Sequence, residues 1–163
     1  MVRVAPGALA GPVDEPVPVP IEDPIERRYA VREVRIRLHQ ARFRGRVVPA
    51  YNTRCAICTL KEDRLLDAAH IVGDLEAAGE AVVQNGLSLC SIHHRAFDQF
   101  LVGVAPDYTV HVSQRLLEDE DGPMLELLKG FNKVPLHMPA RNNDRPDPER
   151  LEERFNRFLE LAA

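Results

Sequence analysis

Cys55-Ala56-Ile57-Cys58 and Cys90-Ser91-Ile92-His93 are two short knuckles of the kind that grips a metal ion, and nothing else constrains this chain as tightly. Zinc favours four soft or borderline ligands in a tetrahedron, and a pair spaced by two residues can hold one edge of it. Together the pairs supply three thiolates and one imidazole, with thirty-one residues between them, enough for a hairpin. The ordinary alternative is that each cysteine is simply buried. All three cysteines of the chain stand in knuckle positions, however, which favours a structural zinc at Cys55, Cys58, Cys90 and His93 over a disulfide framework. Unpaired thiols also point to a reducing cytoplasm. A closed tetrahedron leaves no open position, so this ion holds the fold, contributing on the order of 10 kcal/mol to folding.

His93 is followed at once by His94. Successive side chains on a helix diverge by about 100°, so a His93 that faces the zinc turns His94 elsewhere. Asp98 comes one turn later, where it can share an ion with His94. A histidine–carboxylate pair with open positions suits Mg²⁺, Mn²⁺ or a similar hard cation. His70 belongs to neither knuckle, and a neutral imidazole near physiological pH is a fitting general base. Taken alone, His70 in an apolar strand is usually a core histidine, and Asn85-Gly86 is usually just a turn. His39, His111 and His137 have no partners at ligand spacing and read as surface or packing residues.

At 163 residues the chain is about one domain. No apolar run approaches the roughly 18 residues of a membrane helix, and residues 1–17 lack the basic start and apolar block of a secretory signal. Residues 1–24 hold six prolines and read as an extended arm or linker. The remainder, 25–163, reads as a single domain with its core at 51–112. A helix is expected over 25–51, with Phe43, Val47 and Tyr51 on one stripe and Pro49 bending or ending its last turn. Strands are expected at 65–72, carrying His70, and at 87–89, with Asn85-Gly86 as a turn signal. Ser91 is the expected cap of a helix running through His94 and Asp98 to about Leu101. A small hairpin around Pro106-Asp107 and a short helix near 123–128 follow. The last helix starts at Asp147-Pro148-Glu149, with Leu151, Phe155, Phe158 and Leu159 on one face as core or dimer contact.

The net charge of −4 conceals an asymmetry. Residues 27–54 contain nine Arg and one acid, Glu33, for +8, which leaves −12 elsewhere. A solvated helix face is the ordinary reading of such a run. Arg without Lys favours phosphate contact, because the planar guanidinium fork matches phosphate oxygens in pairs. Arg35, Arg42, Arg44 and Arg46 are the candidate contacts with double-stranded DNA.

The order of these residues resembles the HNH endonuclease family, closest to the branch with Ala-Ala-His-Ile, Asn-Gly-Leu and His-x-x-Phe-Asp. Here these are Ala68-Ala69-His70-Ile71, Asn85-Gly86-Leu87 and His94-Arg95-Ala96-Phe97-Asp98, with Gln40-x-x-Phe43-Arg44 matching the entry helix of that branch. The match covers about residues 35–112. It implies a ββα-metal core; with the structural zinc knuckle pair, the N-terminal Arg-rich helix and the C-terminal helix read above, the expected fold class is α+β. It further implies that His70 deprotonates the attacking water and that Asn85 holds the hairpin and orients His70. His94 would bind the divalent ion, Mg²⁺ or Mn²⁺, that stabilises the leaving 3′ oxygen. Many members carry an acidic residue or histidine just before the base as a metal ligand, where this chain has Ala69. Asp67, two residues earlier on the same strand face, is the candidate replacement.

The expected function is metal-dependent hydrolysis of phosphodiester bonds in DNA, in restriction of foreign and modified DNA. A double-strand cut by a one-site domain favours a homodimer. Relatives join the nuclease to a separate or fused domain that reads the modification, and no such reader is recognisable here. Two alternatives stand beside it: a zinc-stabilised DNA-binding module without catalysis, which gives no reason for His70, His94 and Asp98, and an interaction domain that uses its C-terminal helix and carries a degenerate active site.

Overall fold

The computed structural model describes residues 24–162 except positions 75, 77, 121 and 124, so the proline-rich arm, Pro24 apart, lies outside the described residues. Two units, 1–35 and 36–163, divide the chain, and apart from the start of the first helix everything that follows concerns the second.

The entry helix α1 (Pro24–Ala50) runs through Pro49, which sits in its last turn. Phe43, Val47, Val48 and Tyr51 are fully buried along one stripe, while Arg42 and Arg46 face solvent. Each such apolar side chain contributes about 1.5–3 kcal/mol on burial. The stripe packs on the hairpin of β1 (Leu66–His70) and β2 (Gly86–Cys90), which pair antiparallel from Leu66 opposite Cys90 to His70 opposite Gly86. Gly86 is needed for a reason other than a turn. Its backbone is extended, with φ −132°, and an added Cβ would sit 2.5 Å from Val47 Cγ2 and 2.9 Å from Phe43 Cζ. The turn signal at Asn85-Gly86 is thus a close helix–strand approach, the turn itself being a single 3₁₀ turn at Val83–Asn85.

From β2 the chain passes without a loop into α2 (Ser91–Asp98). Its N-cap is Cys90, not Ser91, whose hydroxyl donates to the Leu65 carbonyl at 3.3 Å. Ala96 and Phe97 bury the inner face of α2. A second antiparallel pair, β3 (Val102–Val104) and β4 (Val110–Val112), forms the expected small hairpin. Two short helices follow, α3 (Gln114–Glu118), capped by the Ser113 hydroxyl, and α4 (Glu126–Lys129). The last helix, α5 (Pro148–Leu161), is capped by Asp147, whose carboxylate accepts from the Glu149 amide. It buries Leu151 and Phe158 but leaves Leu159 54% exposed, so the expected stripe turns one residue short of Leu159. Gly103 on β3 admits the Phe158 ring, whose atoms would lie 2.6–2.9 Å from an added Cβ. No helix among the described residues is long and apolar enough to cross a membrane.

Candidate functional site

Two clusters of ligand-type side chains flank the β1–β2 hairpin, and the adjacent residues His93 and His94 divide between them. In the first, the ligand atoms of Cys55, Cys58, Cys90 and His93 lie within 4.8 Å of one another. His93 Nδ1 is 3.1 Å from Cys90 Sγ and 3.7 Å from Cys55 Sγ, and Cys58 Sγ is 3.9 Å from Cys90 Sγ. Its other nitrogen, Nε2, donates to the Leu127 carbonyl at 3.0 Å, fixing Nδ1 as the ligand face. The ring also meets Phe131 edge-on, 5.2 Å between centroids. Hydrogen bonds to Cys55 and Cys90 push the Cys58 thiol far up, while Cys90 is pushed far down by Cys55, Cys58 and His93. Burial opposes charge on His93, yet the two thiols outweigh it and push the imidazole up to about 9. Three sulfurs and an imidazole competing for protons in this way form a donor set that calls for one shared cation. The set fits tetrahedral zinc.

The second cluster lines an open cleft of about 490 Å³ between residues 37–44 of α1, the β1 strand and α2. His94 is bracketed by two carboxylates. Its Nδ1 is 3.7 Å from Asp67 Oδ2 on β1, and its Nε2 is 3.5 Å from Asp98 Oδ2 one helical turn on. Both carboxylates are about half exposed, His94 less so. His70, at the end of β1, faces the same cleft and stacks on Phe43, 3.9 Å between centroids and 17° from parallel. Its Nε2 is buried with no hydrogen-bond partner among the described residues. Burial lowers the His70 pKa from its ordinary 6.5, against the pull of Asp74 in the opposite direction; His39 and His94 add to the lowering.

Asn85 does not line the cleft. It is fully buried behind it, where Oδ1 accepts from the Val72 amide at 2.9 Å and Nδ2 donates to the carbonyls of Val72 (2.9 Å) and Glu80 (3.0 Å). Its own carbonyl accepts from the Ile71 amide at 2.9 Å. Four bonds therefore tie both ends of the β1–β2 connection together immediately beyond His70.

The stretch that holds both knuckles, His70, Asn85, His94 and Asp98 is residues 55–105, and it matches the family model of the HNH endonucleases. The match spans 51 of the 163 residues, and over them the chain is similar to the HNH endonucleases. A solved structure described as a modification dependent TagI restriction endonuclease shares the fold, with a TM-score of 0.51 and 20% sequence identity. The likeness covers 72% of this chain and 37% of that one, so the chain spans little more than a third of that endonuclease's length. No curated protein matches the chain.

Around the HNH core, the Arg-rich helix splits by role. Arg42 and Arg46 are exposed. Arg44 is instead engaged: Nε donates to the Leu66 carbonyl at 3.1 Å, and Nη2 donates to the Asp63 carbonyl and carboxylate at 2.7 and 3.0 Å. It clamps the start of β1 while still lining the cleft with Arg37. The side chain of Arg35 lies outside the described residues. The cleft also contains Arg154 of α5, which sequence reasoning passed over in favour of that helix's apolar stripe. Asp74 and Phe43 likewise join the HNH cleft. Phe43 was visible as a core residue of α1 and in the entry-helix match; nothing in the spacing signals its stack on His70.

Proposed function

We propose that this protein is a metal-dependent DNA endonuclease acting in restriction of foreign DNA. The observation that carries this reading is the convergence of His70, Asp67, His94 and Asp98 on one open cleft, apart from a Cys3His cluster that already accounts for every cysteine. A bare zinc-stabilised binding module leaves that second convergence without purpose.

In this reading His94 holds the divalent ion, Mg²⁺ or Mn²⁺, with Asp98 or Asp67 as its carboxylate partner. The carboxylate on the opposite nitrogen fixes the ring, as partners of metal-bound histidines do. The ion's contribution is to stabilise charge on the scissile phosphate and its leaving 3′ oxygen. His70 takes the proton of the attacking water. With Nε2 enclosed, Nδ1 is the nitrogen that meets the cleft, and the burial-lowered pKa keeps the ring neutral and ready to accept at physiological pH. The stack on Phe43 and the Asn85 bonds beyond His70 hold the imidazole in place. Arg42 and Arg46 contact the duplex backbone. Residues 25–163 constitute the nuclease domain, with 1–24 as an arm towards a further domain, and the protein works in a reducing cytoplasm as a homodimer.

Supercoiled plasmid incubated with the purified protein and Mg²⁺ or Mn²⁺ should be nicked or linearised, and EDTA should abolish this. An inert protein, tested on both unmodified plasmid and plasmid with methylated cytosine, would remove the nuclease reading. Preference for the methylated plasmid would extend to this chain the modification dependence named for the TagI endonuclease.

A further inference from the structure

Arg154 lies on α5, well outside residues 55–105, yet its guanidinium joins the two elements that carry the proposed chemistry. Nη1 donates to the Ile71 carbonyl at 3.2 Å and Nη2 to the Phe97 carbonyl at 2.7 Å. Ile71 directly follows His70, and Phe97 directly precedes Asp98. The guanidinium carbon sits over the Phe97 ring at 3.9 Å and the Phe100 ring at 4.8 Å, so the fork is held against the end of α2 and the residues just beyond it. Burial pushes its pKa down to about 10, which leaves it cationic at neutral pH, with Asp98 drawing on that charge.

Its neighbours on α5 act in the same direction. Arg150 reaches Glu80 at 3.7 Å, and Arg157 reaches Glu76 at 2.5 Å. Arg150, Arg154 and Arg157 stand at i, i+4 and i+7, one helical face laid along the connection between His70 and Asn85. Of the three, only Arg154 also grips α2.

We propose that Arg154 is a positioning residue for phosphodiester cleavage, its two prongs fixing the separation between His70 and the His94–Asp98 pair. The proposal rests on the nuclease reading above. The guanidinium is planar and presents its donors at fixed angles, so one side chain can bind two carbonyls on different elements at once. A lysine carries its charge on a single nitrogen and cannot reproduce that span. Misplacement of reacting groups by about 1 Å costs on the order of 100-fold in rate.

Wild-type protein, R154K and R154A are compared in steady-state cleavage of a labelled duplex with Mn²⁺, with zinc content measured on the same samples. In both variants kcat should fall about 100-fold with KM changed less than about three-fold and zinc retained. Added guanidinium ion should partly restore R154A, where the same concentration of sodium chloride does not. Wild-type kcat in R154K overturns the proposal, and so does a loss confined to KM, which would make Arg154 a DNA-binding residue. Imidazole NMR of the DNA-free protein reads the same geometry without cleavage. The His70 and His94 signals should move in R154K while His137 stays in place. Unmoved His70 and His94 signals overturn the assignment whether or not the wild-type protein cuts DNA. If R154A does not retain zinc, R154K carries both measurements.

Discussion

Exchanging each of the adjacent histidines for cysteine separates the two metal sites. His93→Cys converts a mixed site into an all-thiolate tetrahedron, and Sγ falls near the position of Nδ1, the ligand nitrogen, so zinc should remain at one per chain. The losses are what the ring does elsewhere. The bond from Nε2 to the Leu127 carbonyl is worth about 0.5–1.5 kcal/mol. The edge contact with Phe131 adds about 0.5–1.5 kcal/mol. Together these predict destabilisation of about 1–3 kcal/mol, a fall in Tm of roughly 2–12 °C for a chain of this size. Cleavage in Mg²⁺ should persist. His94→Cys is the mirror image. The side chain is 23% exposed and is bracketed by the carboxylates of Asp67 and Asp98; zinc and Tm should hold to within about 1 kcal/mol. Mg²⁺-dependent nicking should fall by about 100-fold or more, because a soft thiolate is a poor ligand for a hard cation. Elemental analysis, a thermal melt and a plasmid assay on the same preparations decide it. If His94→Cys sheds the zinc while His93→Cys loses only cleavage, the two ligands have been assigned the wrong way round.

His70→Ala should leave zinc and duplex binding intact and abolish nicking; in the wild type the acid limb of kcat should fall below pH 6.5, since burial lowers the His70 pKa. The same lowering sets a stability window: the unfolded chain binds the proton first, so this contribution is full above about 6.5 and is lost as pH falls towards the folded value. A melt that is flat across pH 5–7 in the wild type and identical in His70→Ala would contradict this. Arg42→Ala with Arg46→Ala should weaken binding to all duplexes alike and flatten the log–log salt slope by about 0.9 per lost contact, measured by anisotropy titration; an unchanged slope returns this face to solvent. Asn85→Ala strands the buried Val72 amide and two carbonyls and should cost about 3 kcal/mol or more, read in a urea melt. Gly86→Ala should cost about 1–3 kcal/mol by forcing Val47 and Phe43 away, whereas a turn glycine would show no dependence on Val47; a Val47→Ala background that fails to relieve it would refute the packing account.

What was legible in the sequence was whatever is encoded by short covalent spacing. The two knuckles, the opposite facing of His93 and His94, and the His94–Asp98 turn all follow from separations of four residues or fewer. What was not legible depends on where distant segments cross. Arg154 meets Ile71 and Phe97 across 83 and 57 residues, and on its own helix it looks like any solvent-facing arginine. Arg44 reads as a phosphate contact by composition, and its bonds to Asp63 and Leu66 appear only where segments 19 and 22 residues away meet it. Ser91 is the better cap by propensity, yet Cys90 holds the N-cap position without a side-chain cap bond, and the Ser91 hydroxyl is engaged with the Leu65 carbonyl. Helix α3 is only five residues long and leaves too little periodicity to be seen. Gly86 shows how one residue type can serve two ends: the same letter marks a turn or a point of contact, and only the facing helix tells which.

Helix α2 has eight residues, fewer than the roughly 12–15 at which an isolated helix persists in water. It behaves as a beam clamped at both ends, by Cys90 and His93 at the start and by the Arg154 fork on the Phe97 carbonyl at the finish. A beam fixed in this way has no adjustable length. One inserted residue would rotate the far end by about 100° and advance it by about 1.5 Å, taking His94 and Asp98 off the cleft or Phe97 off its clamp. Variation in those α2 side chains that face neither the Cys3His cluster nor the cleft can be absorbed, while variation that alters the helix's residue count cannot.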